Sequence, residues 1–439
     1  MSTIESIVAF SRSHVSSSGT LSCRSPLFRL LVTALIFFAL STLFIFATGP
    51  VADRSALWLP STRTHGHNGP PAMDREDYPP VVPTADNDAG NSTLGFSSIY
   101  FIYLPSRYDR LDAMSLQSYL SGVDLTEYPA VGPQLIKDVG MPPTRKPGKL
   151  RTSEQGCWRA HANVGITIPK DNIEYLTDSN ALVQIWSTML RQKLPPLLIV
   201  ESDATWDINI RKIMPNLNNH FRQFLREINS TQLHNPAWPA EAAARNESTR
   251  TSDDDPWLSS HWDMLSFGQC HETDENKDIR LIYNDPFVPL GKDYQGRALT
   301  HERVIRRSGG ITCTTAYAVS QTGAAKLLLR TAVNLDMPVD MVMQEMIVSG
   351  DLVSYSVMPP IMAQWQYAEG IGMEERGANS NINKAGIFSG LFSLFARKKA
   401  WENVKASGSV WTTKTYHEDV AFDEMSLQGA WKRVFRTGN

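Results

Sequence analysis

Leu197-Leu-Ile-Val-Glu-Ser-Asp203 decides how this chain folds. Four apolar residues, set between Pro195-Pro196 and an acid–x–acid triplet, read as a strand buried on both faces, the habit of parallel sheets. Such a strand ends at the carboxyl edge of its sheet, where open α/β folds bind ligands. In extended chain, residues two apart share a face, so Glu201 and Asp203 are predicted to converge on one cation. Carboxylate oxygens select hard divalent ions, Mg2+ or Mn2+, which also take phosphate oxygens. The same two acids could instead only cap the strand and the next helix, with Asp203 as N-cap.

Outward from this strand the pattern alternates. Ser98-Ile-Tyr-Phe-Ile-Tyr-Leu104 reads as a second buried strand, stopped by Pro105-Ser106. A helix follows with Arg107, Asp109 and Arg110 at its start and Leu111 and Met114 at helical spacing. The two arginines could hold a diphosphate bidentately, or form a solvated helix start beside Asp109. Ala181–Lys193 is predicted as a helix capped by Asn180, with Leu182, Ile185, Trp186, Met189 and Leu190 on one face. Leu217, Phe221, Leu225 and Ile228 mark another helical face. Trp262–Phe267 and Thr314–Ser320 read as strands, the second passing into a helix at Gln321–Arg330 with Ser320 as N-cap. A further helix is predicted at Val339–Val348. Asn229–Ser260 reads as an exposed polar insertion, and its Asp253-Asp-Asp255 as a solvated acidic cluster rather than a second metal site. Strands alternating with helices predict an α/β domain with a mostly parallel sheet.

The ends and the composition set the context. A 439-residue chain that is 42% hydrophobic has ample material for a core, and a net charge of -3 gives no basic field for nucleic acid. Leu30–Thr48 is uncharged and long enough to span a ~30 Å hydrocarbon core. It exceeds the roughly 7–15 residue apolar region of a cleaved signal peptide, so an uncleaved anchor is predicted. Arg24 and Arg29 before it nearly balance Arg54 and Arg63 after it, but the sequons at Asn91, Asn229 and Asn246 all follow the span. They favour a cytosolic N-terminus and a lumenal body. The division expected is a tail at 1–29, the anchor at 30–48, a flexible Pro-rich stem at 49–96, a folded domain at 97–370 and a peripheral extension at 371–439.

Of four cysteines, Cys23 sits before the span. Cys270 follows one predicted strand and Cys313 precedes another, so these two are predicted to pair, leaving Cys157 as a small core residue. Closing a loop of about 40 residues would stabilise by about 3–4 kcal/mol on chain-entropy reasoning.

Tyr100-Phe-Ile-Tyr-Leu-Pro-Ser-Arg-Tyr-Asp-Arg-Leu111 resembles the opening of glycosyltransferase family 25, the lipopolysaccharide-synthesis and collagen galactosyltransferase group. That family opens with a strand, an Asn-Leu pair and two arginines three apart; here these are Arg107 and Arg110, with Tyr103 in place of Asn. Gln155-Gly-Cys-Trp-Arg-Ala-His161 is similar to its Gly-Cys…Ser-His block, with Ala160 for Ser. Val200-Glu-Ser-Asp203 matches its Glu-Asp-Asp block, with Ser202 at the centre. Thr315-Ala-Tyr-Ala-Val-Ser-Gln-Thr-Gly-Ala-Ala325 resembles its later aromatic, Ser and Gly-Ala segment, and Pro338-Val-Asp340 its Pro-x-Asp. The blocks run in order from about Ile99 to Gln366, and the chain reads as a fungal-type, membrane-anchored member.

The resemblance implies a GT-A-like single catalytic domain, a UDP-sugar donor such as UDP-galactose, Mn2+ or Mg2+ on Glu201 and Asp203, and inversion at the anomeric carbon. Inversion calls for a carboxylate base near the acceptor hydroxyl. Asp340 is the first candidate and Glu345 the second, each equally readable as a helix cap. His161 could orient donor or acceptor, or be a satisfied buried histidine. The acceptor is left as a glycan, glycoprotein or glycolipid, and the predicted anchor with the sequons after it makes the chain a type II membrane protein of the Golgi or endoplasmic reticulum. Two rivals stand beside this reading. Tyr103, Ala160 and Ser202 are what a degenerate glycan-binding or scaffold member would show. A metal-dependent phosphohydrolase also sets acids at strand ends, but the ten histidines form no spaced cluster to complete its ligand set.

Overall fold

The computed structural model describes residues 88–130, 136, 141–162, 185–233, 255–368, 371, 392–413, 420 and 422–435. The predicted span Leu30–Thr48, the stem up to residue 87, Cys23, Asn180, Asn246, Asp253 and Asp254 lie outside them. No described helix is long and apolar enough to cross a membrane.

The first half of the domain runs β1 (Ile99–Tyr103), α1 (Tyr108–Ser121), β2 (Thr126–Pro129), α2 (Thr152–Ala162), α3 (Ile185–Gln192), β3 (Leu197–Glu201), β4 (Ala204–Trp206) and α4 (Ile210–Glu227). Short strands follow: β5 (Met264–Ser266), β6 (His271–Glu272), β7 (Arg280–Asn284), β8 (Lys292–Tyr294), β9 (Arg297–Leu299), β10 (Glu302–Arg307), β11 (Ile311–Thr312) and β12 (Ala316–Val319). Then come α5 (Gln321–Val333), α6 (Val339–Val348), β13 (Ser354–Met358), β14 (Met362–Tyr367), α7 (Phe392–Ser407), β15 (Trp411–Thr413) and α8 (Ser426–Val434).

Eight strands form one sheet in the order β2-β1-β3-β12-β5-β13-β10-β7. β1 is parallel to β2 and β3, and β5 to β13. β12 runs antiparallel between β3 and β5, and β10 antiparallel between β13 and β7. The sheet is therefore mixed, where the sequence led us to expect a mostly parallel one. The reason lies in how the chain enters β12. It arrives at the carboxyl edge of β3 and runs back from there, pairing Ala316 with Val200 and Val319 with Leu197. That reversal brings the residues just before β12 to the carboxyl edge of β3.

β3 is buried on both faces, as its apolar run predicts. Leu198 and Val200 join α4 residues Phe221 and Phe224 with Trp257, Trp262 and Phe267. Ile199 faces Trp186 and Met189 of α3 and Val342 and Met343 of α6. Trp257 lies in the segment read as an exposed insertion, yet it is fully buried. Its indole N–H donates to the Leu94 carbonyl (2.9 Å) and its ring stacks on Phe96. Its bulk outweighs the polar neighbours that made the segment look solvated.

Ser320 caps α5 as predicted, its hydroxyl accepting from Gly323 N at 3.1 Å. A Cβ at Gly323 would fall 2.0 Å from the Asp263 carbonyl oxygen, so the close seat of α5 on the start of β5 requires glycine. β14 pairs with both β4 and β15. α8 packs on α1: the buried Ser426 hydroxyl donates to Gln117, whose amide donates to Ala204 O. Glu424 N donates to Asp207 (2.8 Å). This part of the expected peripheral extension is thus built into the domain.

Candidate active site

Glu201 ends β3, and its N–H donates to the Thr315 carbonyl (2.9 Å), tying β3 to the entry of β12. The buried Thr314 hydroxyl donates to Glu201 Oε1 at 2.6 Å. His161 reaches the same oxygen through Nε2 at 3.4 Å, while its Nδ1 lies 3.2 Å from the Tyr317 hydroxyl. Burial alone would raise the Glu201 carboxyl. Its contacts with His161 and Thr314 and the charge of Arg110 more than offset this, leaving it below its ordinary value and ionised.

The strand stops at Glu201, so the two-residue alternation does not carry on to Asp203. Ser202 and Asp203 form a turn, and Asp203 pairs with Arg110 at 2.9 Å, both side chains nearly buried. Arg110 also reaches the Ser202 hydroxyl at 3.5 Å. The two acids thus share the sheet edge with different partners. Arg107 takes Asp109 bidentately (2.8 and 2.7 Å), and the Tyr367 hydroxyl lies 3.5 Å from the same carboxylate.

Asp340, in the first turn of α6, accepts from Cys313 N (3.3 Å) and from Met341 N (2.9 Å). Cys313 is bonded to Cys270 with Cα atoms 5.4 Å apart, as the sequence predicts. Its backbone sits in the left-handed region (φ 66°), which a non-glycine residue adopts at a cost. The disulfide and the Asp340 contact together hold it there, one residue before Thr314. Glu345 lies elsewhere: it is exposed and bound to Arg330 at 2.6 Å, and the described contacts do not bring it to Glu201. Five residues beyond Asp340, it faces another side of α6.

Cys157 is a free, half-buried thiol. Burial pushes it well above its ordinary value, and Glu201, Asp340 and Asp203 push it further, so three acids of the edge act on one sulfur. The ligand atoms of Cys157, His161 and Glu201 all lie within 4.8 Å of one another. Sequence reasoning missed this grouping and missed Thr314. The spacing of Cys157 and His161, one helical turn apart on α2, is the signal that could have found the former. Glu201 with Asp203 offers oxygen donors to a metal; Glu201 with Cys157 and His161 offers a mixed set.

Beside Thr315 a cavity of about 160 Å³ opens among Gln269, Cys270, His271, Met358 and Gln364. Its walls supply amides and hydroxyls suited to hydroxyl-bearing ligands.

No curated protein matches the chain. A family model does: residues 183–343, which carry Glu201, Asp203, Thr314 and Asp340, match Glycosyltransferase family 25 (LPS biosynthesis protein). Over these residues the chain is similar to glycosyltransferase family 25.

Proposed function

We propose that the chain transfers a sugar from a nucleotide-sugar donor, UDP-galactose or a relative, to a hydroxyl of a glycan, protein or lipid acceptor, with inversion at the anomeric carbon. The observation that carries this is Glu201, held ionised at the carboxyl end of β3 beside the Arg110–Asp203 pair, within the family's matched segment. Two carboxylates at one sheet edge fit Mn2+ or Mg2+ by donor chemistry. Glu201 and Asp203 would hold such an ion, which when bound neutralises charge on a departing nucleoside diphosphate. Arg110 and Arg107, each already seated against a carboxylate, would offer their planar forks to the diphosphate oxygens.

Thr314 and His161 act as positioning residues, fixing the carboxylate of Glu201 through its Oε1. Asp340 would take the proton of the acceptor hydroxyl as that oxygen attacks the anomeric carbon. Its two backbone contacts pin the carboxylate in place while the donor leaves. The cavity beside Thr315 would seat part of the acceptor. The chain would reside in the Golgi or endoplasmic reticulum as a type II membrane protein. In support, the sequon residues Asn91 and Asn229 are both exposed.

The test is nucleoside diphosphate release from a panel of nucleotide-sugars with Mn2+ present. Turnover of one donor, abolished by chelator, is expected. Release from none of them, with glycan binding retained, would overturn the reading in favour of a degenerate binding module, the role Ser202 would then explain.

A further inference from the structure

We propose that Cys157, His161 and Glu201 form a three-ligand site for a borderline divalent cation of the Zn2+ class. Cys157 and His161 stand one turn apart on α2 and direct a sulfur and an imidazole nitrogen at the carboxylate that ends β3. A donor set of one sulfur, one nitrogen and one oxygen selects zinc and its neighbours over Mg2+ or Mn2+. The site is therefore chemically separate from an all-oxygen one, although Glu201 would serve both.

The geometry is close to what the ion requires. Zinc bonds of ~2.0–2.3 Å in a tetrahedron set ligand atoms roughly 3.3–3.6 Å apart. His161 Nε2 and Glu201 Oε1 already stand 3.4 Å apart. All three ligand atoms lie within 4.8 Å, so a rotation of the Cys157 side chain completes the set. The glutamate side chain is 23% exposed, which leaves an entry path and a fourth position for water.

The surroundings of His161 supply a second observation. The residue is buried, and Nδ1 meets the Tyr317 hydroxyl at 3.2 Å. A hydrogen bond on one ring nitrogen that aims the other is the usual support of a metal-binding histidine. With the proton on Nδ1, the lone pair of Nε2 points at Glu201 Oε1 and at the Thr314 oxygen, 3.3 Å away. Thr314 spends its single proton on Glu201. With Nε2 unprotonated, a cation bound among these three atoms would take the place of the proton that otherwise joins Nε2 to Glu201.

The experiment uses the full-length chain and reads binding, independently of sugar transfer. Equilibrium dialysis with metal analysis should find one Zn2+ per chain. Co2+ in its place should give thiolate-to-cobalt charge-transfer absorption in the near ultraviolet. Cys157→Ser should remove that absorption, and Tyr317→Phe should weaken Zn2+ binding about 10- to 100-fold. His161→Gln gives a second ligand deletion, and near-ultraviolet circular dichroism with an intact Cys270–Cys313 bond verifies folding of each variant. No stoichiometric Zn2+, or a cobalt–thiolate signal that persists in folded Cys157→Ser, overturns the proposal.

Discussion

Replacing Thr314 with valine removes one buried hydroxyl at nearly constant volume. In the native chain that hydroxyl donates to Glu201 Oε1 at 2.6 Å, and the remaining contact to that oxygen, His161 Nε2, is longer at 3.4 Å. A hydrogen bond to a charged group stabilises by about 1.5–3 kcal/mol. Thr314→Val should therefore cost that much at neutral pH. The Glu201 carboxyl sits below its ordinary value in the folded chain. Its stabilisation is thus present above the ordinary carboxylate range and is lost as pH falls through the folded value. Without Thr314 the folded value moves back up, so the gap between variant and wild type should be widest at neutral pH and close in acid. If the whole interaction serves the transition state, turnover falls roughly 10- to 150-fold. Denaturant unfolding at a series of pH values, with donor turnover measured on the same samples, supplies both readings. A stability loss that does not vary with pH, or full turnover in the variant, would refute the role given to Thr314.

Reduction of the Cys270–Cys313 bond, which closes a sequence separation of 43, should cost about 4 kcal/mol on chain-entropy reasoning and lower turnover, because Cys313 N holds Asp340. Non-reducing peptide mapping that joins Cys270 to Cys157 would reject the pairing. Asp340→Asn should lower the transfer rate by about 10²–10⁴ if the carboxylate is the base, whereas Glu345→Gln should change it little; the reverse order would exchange the two assignments. Enzymatic removal of N-glycans should increase the protein's gel mobility while it stays in the membrane fraction, and a mature N-terminus mapped downstream of Thr48 would instead show cleavage.

Local signals carried the sequence reading a long way. The run Leu197–Val200 between prolines and acids gave β3, Ser320 gave the cap of α5, and Pro338 marked the start of α6. The disulfide followed from two cysteines at the ends of predicted strands. What could not be read were matters of direction and long-range contact. Periodicity marks β12 as a strand but is the same whichever way the strand runs, so the mixed sheet was not legible. The alternation that set Glu201 and Asp203 on one face stops at Glu201, and a turn at Ser202, not a continuing strand, sets Asp203 against Arg110. Ser426 meets Gln117 across 309 residues, a contact no local pattern encodes, and it draws α8 into the domain. Trp257 is apolar bulk in a polar stretch, and composition averaged it away.

If the carboxyl edge of β3 performs the donor chemistry, Asp203 is the residue at which it fails most directly. Deleting its side chain would strand Arg110, a nearly buried charge, at a cost of about 3–5 kcal/mol. Asp203→Asn keeps the shape and a hydrogen-bond acceptor and is the better probe. With the best donor from the nucleotide-sugar panel and Mn2+, the measurement is nucleoside diphosphate release by folded Asp203→Asn against wild type. Release should be abolished in the variant while circular dichroism and the Cys270–Cys313 bond are unchanged. Release at the wild-type rate from the folded variant would contradict it.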